Sequence, residues 1–112
     1  MRDYSLYLND ILSSIETAER FIAGLSFEEF ITDEKTNYAV VRCLEIIGEA
    51  SKHIPASLRN KYPGIPWKTM VGTRNVIIHE YASIGLTEVW KTTVNNLPPL
   101  KNQILKILAD LK

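Results

Sequence analysis

A guanidinium, a carboxamide, an imidazole and a phenol fall within eight residues of this chain, at Arg74, Asn75, His79 and Tyr81. Arg74 carries a planar, permanently charged fork that suits two oxygens of one phosphate. His79 can both accept and release a proton near neutral pH. Cleaving RNA without a metal needs little more than those two functions. A base takes the proton of a ribose 2′-hydroxyl, an acid protonates the departing 5′-oxygen, and a cation offsets the charge on the phosphorane-like transition state. Spacing alone is also compatible with a plainer role for the same residues. A histidine at a helix end finds a hydrogen bond, and an arginine on a helix surface pairs with a carboxylate such as Glu80 or Glu49.

The elements that must position these groups are all helical by pattern. Leu8, Ile11, Leu12, Ile15, Ala18 and Ile22 recur at steps of three and four, the signature of an amphipathic helix. Gly24 ends it, and Ser26-Phe27-Glu28-Glu29 has capping-box spacing for a short helical turn. A second long helix is expected from about Asp33 to His53. Its two apolar rows, Val40/Leu44/Ile47/Ile54 and Ala39/Cys43/Ile46/Ala50, place it at the centre of a bundle. Gly48 in that helix suggests another backbone packed close to it. The opposite row, Arg42, Glu45, Glu49 and Lys52, reads as a salt-bridged solvent face or as one wall of a groove beside the site.

Pro55 suits the start of a further turn, and Tyr62-Pro63-Gly64-Ile65-Pro66-Trp67 must be an ordered loop, because its prolines and glycine break a helix. A third principal helix is expected from about Trp67 to His79. Ser83-Ile84-Gly85 reads as a turn, with Thr87 as N-cap of the next helix. Trp90, Val94, Leu97, Leu100, Ile104, Ile107 and Leu111 form a seam, interrupted where Pro98 and Pro99 must kink or restart the helix. No segment alternates apolar and polar residues convincingly, so no sheet is expected. The fold class is all-α: an up-and-down bundle of four to five helices in one domain over residues 1–112.

Composition narrows the function classes. Thirteen basic and thirteen acidic residues cancel among 112, so bulk charge gives no pull toward nucleic acid, and such binding must come from a local site. The single cysteine, Cys43, excludes an intrachain disulfide framework and a cysteine-rich zinc site, and its apolar neighbours make it a small buried hydrophobe. His53, at the end of the central helix, reads as a cap that meets the helix dipole favourably. With His79 so distant from it, a metal site is not expected. Trp67 and Trp90 read as core or subunit-contact residues, and Tyr4 and Tyr7 as half-buried. No apolar stretch approaches a membrane span, and Met1-Arg2-Asp3-Tyr4 leads straight into a patterned helix, which together predict a cytoplasmic location.

Three segments resemble one family. The string Arg74-Asn75-x-x-x-His79-x-Tyr81 is similar to the arginine–x4–histidine–x–tyrosine motif of HepT-like proteins, within the HEPN superfamily. Pro63-Gly64-Ile65-Pro66-Trp67-Lys68-x-Met70-x-Gly72 resembles the lead-in to that motif, and Arg42-x-x-Glu45-Ile46-Ile47-Gly48-Glu49-Ala50 resembles the family's central helix. The resemblance covers essentially the whole chain. It implies an endoribonuclease toxin of a type VII toxin–antitoxin system that needs no cofactor. Arg74 and His79 would be the catalytic pair and Asn75 a supporting polar residue. Tyr81 would accept AMP from an MNT-type nucleotidyltransferase antitoxin, which places a bulky anion where the RNA phosphate must sit. It also implies a homodimer with the two motifs facing across a cleft. The rival reading is a non-catalytic module that docks a nucleotidyltransferase or binds nucleotides, and the neutral net charge leans toward it.

The motif's spacing leaves a geometric question. Five residues of straight α-helix turn through about 500°, which sets Arg74 and His79 about 140° apart, whereas Asn75 and His79 share a face. The helix could be irregular near Gly72 or end before His79, or the arginine could reach around it. The two chains of a dimer could instead complete each site together, and this is the arrangement the cleft favours.

Overall fold

A computed structural model describes residues 4–71 and 85–111. Helix α1 (Ser5–Ile22) turns Leu8, Ile11, Ile15 and Ala18 inward, all fully buried. It stops where Gly24 takes φ +80°, a conformation glycine adopts without a Cβ clash. The expected capping box opens α2 (Phe27–Thr32): the Glu29 amide donates to Ser26 Oγ at 3.1 Å and the Ser26 amide to Glu29 Oε1 at 2.9 Å.

Asp33 ends α2 and starts α3 (Glu34–Lys52), where its carboxylate accepts from the Thr36 hydroxyl at 2.7 Å and the Thr36 amide at 3.1 Å. Those bonds favour the ionised form and hold the carboxyl below the usual carboxylate range. The cap is therefore in place above the ordinary aspartate pKa and is lost as pH falls through the lowered one.

Helix α3 is the central element. Val40, Cys43, Leu44, Ile47 and Ala50 are buried along it, Gly48 is buried too, and Ile54 continues the apolar row just beyond its end. Helix α1 packs mainly on α3, α2 packs on α3, and the last helix lies against α1. His53 is the C-cap of α3, and its ring stacks on Tyr7 at 4.8 Å between centroids. Carbonyls at and just beyond the end of α3 are met from α4 (Ala56–Lys61). Arg59 donates through Nε to the Ile54 carbonyl at 2.8 Å and through Nη2 to the Ser51 carbonyl at 2.7 Å. Removing a charged donor from two such acceptors weakens a folded state by about 1.5–3 kcal/mol. Arg59→Ala is expected to lose about that much in urea unfolding, and Arg59→Lys, without the fork, to recover only part of it.

The proline-rich loop is ordered, as expected. The Tyr62 carbonyl accepts from the Ile65 amide at 3.1 Å and from Trp67 Nε1 at 3.2 Å. Residues 67–71 are helical, with Trp67 and Met70 buried.

Residues 85–91 are helical and run through a π-helical turn, Thr92–Asn96, into α5 (Leu97–Asp110). Prolines at the start of α5 supply no amide hydrogen to the preceding turn, and a wider turn there accommodates the missing donors. This turn corrects the expected seam. A π turn takes up extra residues, so the buried row before it runs through Val89 and Thr93, while Val94 is 41% exposed. After it, Leu97, Leu100, Ile104 and Ile107 face the core as expected, and Leu111, beyond the end of α5, is 49% exposed. Thr87 lies inside the helical stretch rather than capping it; Gly85, at φ +76°, stands at the start of the described stretch.

Trp90 packs its ring on Phe30 and Phe27, and Tyr4 and Tyr7 are half-buried against the core. The described residues contain no strand, and the all-α bundle is the observed class.

Candidate functional site

The four residues singled out for chemistry, Arg74, Asn75, His79 and Tyr81, lie outside the described residues, as do Ser83 and Ile84 and most of the expected third helix. The flanks of their segment are described, and the core holds both. On the entry side, Ile65, Trp67 and Met70 are buried. The loop before them is tied to α5 at two points: Tyr62 Oη donates to Asp110 Oδ2 at 2.8 Å, and Gln103 Nε2 donates to the Gly64 carbonyl at 3.3 Å. On the exit side, Val89 is buried and Trp90 rests on Phe30. Four peptide units separate Met70 from Arg74, and four separate Tyr81 from Gly85. At 3.8 Å per unit, chain connectivity holds each pair of Cα atoms within about 15 Å.

The polar row of α3 is in part a salt-bridged face. Arg42 Nη1 lies 3.7 Å from Glu45 Oε1, with the arginine largely in solvent; Glu49 is half-buried and Lys52 exposed. A surface pair of this kind contributes little to stability. Beside α3, between residues 66–70 and the π turn, runs a groove of about 260 Å³. Sequence reading did not find it. Pro98-Pro99 was the signal for a break, but not for the wide turn that shapes the groove's rim.

Other candidate reactive groups have settled roles. Burial pushes the Cys43 thiol up, so it stays protonated and acts as a small apolar side chain. Among the described residues no group of three His, Cys, Asp or Glu side chains could hold a metal ion.

The family model for ribonuclease HepT-like proteins matches residues 11–107. The chain belongs to that family. It is 42% identical to the probable ribonuclease HepT of Thermococcus cleftensis over 106 residues, covering 95% of this chain and 96% of that protein. Two RNase-named proteins of Methanocaldococcus jannaschii are 42% and 41% identical over 111 residues, covering 99% of this chain and 96% and 92% of theirs. No solved structure matches the chain at comparable significance. Membership in the HepT-like family supports ribonuclease as the activity class. No described helix is long and apolar enough to cross a membrane.

Proposed function

We propose that this HepT-like chain is a metal-independent endoribonuclease toxin in which Arg74 and His79 act on one scissile phosphate. A partner nucleotidyltransferase silences it by attaching AMP to Tyr81. The observation that carries this reading is the family match, which runs through the whole segment from the proline-rich loop to the last helix. The anchoring of both flanks in the core supports it, since a reacting constellation must be held within fractions of an ångström.

The chemistry balances without a cofactor. The 2′-oxygen loses its proton and bonds to phosphorus, and the bond from phosphorus to the 5′-oxygen breaks as that oxygen gains a proton. The products carry a 2′,3′-cyclic phosphate and a 5′-hydroxyl. His79 moves a proton, and the Arg74 fork offsets charge on the non-bridging oxygens. Asn75 supports the pair by hydrogen bonding. In the homodimer, both chains border one cleft and the two motifs face each other. AMP on Tyr81 adds a phosphate charge and a nucleoside's bulk where the substrate phosphate must lie.

Purified protein is expected to cut RNA in excess chelator and to leave 2′,3′-cyclic phosphate ends. Loss of cutting in chelator, or 3′-hydroxyl ends, would overturn the metal-independent mechanism. Co-expression with the nucleotidyltransferase is expected to add adenylyl mass to the chain, and Tyr81→Phe to remove that addition.

One observation favours a second reading. The zero net charge is unusual for a protein that holds RNA by its backbone. A non-catalytic module would form a stable complex with the nucleotidyltransferase, and cells would grow equally with the parent chain or with Arg74→Ala. On the nuclease reading, only the parent chain halts growth.

A further inference from the structure

We propose that the groove beside the π turn is a pocket for one nucleobase of the RNA strand, seated next to the nucleotide being cut. The proposal rests on the ribonuclease reading above but stands on separate residues. The floor is apolar, formed by Leu44 and Ile47 of α3, Met70 of the entry helix, and Leu97, Pro99 and Leu100 of α5. Its polar side chains are all uncharged: the carboxamides of Asn95, Asn96 and Gln103, with the hydroxyls of Thr69 and Thr92.

No charged side chain lines it among the described residues, which argues against a phosphate or carboxylate occupant. A nucleobase has the complementary character. Its faces are apolar and stack on side chains, while its edge alternates donors and acceptors that a carboxamide matches with its own donor and acceptor. Gln103 uses its amide nitrogen to hold the Gly64 carbonyl, which leaves its amide oxygen to accept. Asn95 and Asn96 are exposed on the wide turn, and π turns recur at functional sites because they re-aim side chains in this way.

At about 260 Å³ the groove falls just below the range of drug-sized sites, roughly 300–1,000 Å³, so it suits a single base rather than a dinucleotide. Its position fits the same reading. Met70 is in the wall, and chain connectivity keeps the Arg74 Cα within about 15 Å of it. A base held here belongs to a nucleotide flanking the scissile phosphate. Such a pocket would supply base preference without basic surface, consistent with the neutral net charge of the chain.

The test titrates adenosine, cytidine, guanosine and uridine into the full-length chain and follows the methyl resonances of Leu44, Met70 and Leu100. At least one nucleoside is expected to move them, and inorganic phosphate is not. Asn95→Ala with Asn96→Ala is expected to weaken that binding about tenfold, the loss of one to two hydrogen bonds. In cleavage assays, an abasic residue beside the cut is expected to raise KM for the parent and to have little effect on the double variant.

The proposal falls if no nucleoside moves these methyls, if phosphate moves them equally, or if the double variant binds as well as the parent. It also falls if the double variant turns a dimer into a monomer, since the groove is then a subunit contact. Nucleoside binding without RNA cleavage retains the pocket and overturns the nuclease reading. RNA cleavage without nucleoside binding does the reverse.

Discussion

His79→Ala is expected to lower the rate of RNA cleavage by about 10²- to 10⁴-fold, the usual contribution of a placed acid–base group. On the proposed mechanism no other side chain in the motif replaces it. The Arg74 guanidinium stays protonated at any working pH and cannot act as a base. Asn75 carries a carboxamide, which does not titrate. The loss should fall on kcat more than on KM, because proton transfer belongs to the transition state. Arg74→Lys offers a contrast. It keeps the charge but loses the bidentate fork, so it should retain part of the activity that Arg74→Ala abolishes. A thermal melt of each variant separates lost chemistry from lost fold. If His79→Ala cuts RNA as fast as the parent and melts like it, the assignment of His79 is wrong.

Phe30→Ala is expected to have the largest effect on stability, about 3–5 kcal/mol. Among the described residues Phe30 is the largest fully buried side chain, yet it sits on a six-residue helix that packing must hold in place. Its ring lies 5.1 Å from that of Trp90, so α2 covers the helical stretch on the exit side of the motif segment. The cavity left by alanine would loosen that contact as well as remove buried area. Unfolding in urea followed by tryptophan fluorescence measures the loss, because Trp90 reports on the ring it would no longer touch. Phe21→Ala is the control. That side chain is 42% exposed, and its removal should change stability by no more than about 0.5 kcal/mol. Equal costs for the two variants would mean that α2 is not part of the core.

Much of the scaffold could be read from residue order because local signals and burial agreed. Ser26 and Glu29 form the capping box their spacing announces, Asp33 and His53 bound the central helix, and both apolar rows of that helix face inward or nearly so. Apart from Thr87 and Leu111, the misreadings cluster at one place. A fixed helical period carried across Pro98-Pro99 puts Val94 in the seam, and the π turn moves it out and brings Thr93 in. Periodicity assumes constant turn size, and tandem prolines violate that assumption. The groove at the same turn was invisible for a related reason, since its walls come from three segments far apart in sequence. The chemistry was legible differently. Arginine and histidine five apart are equally a surface pair and a helix-end cap by spacing, and only the longer string with its lead-in pointed to a ribonuclease. Family membership bears out that activity class. Arg74, Asn75, His79 and Tyr81 themselves stand outside the described residues.

Lys101 of the final helix reaches Glu19 at 3.3 Å and Glu16 at 3.8 Å on the first, across 82 positions of chain. Two helices far apart in sequence thus close one interior, and this has a consequence for how the molecule is made. Translation at about 5–20 residues per second separates the emergence of these two helices by roughly five to twenty seconds. Throughout that interval the first helix can pack on α3 but lacks the helix that closes its other side. A growing chain cannot complete this interior before α5 has emerged, however early the first helix forms.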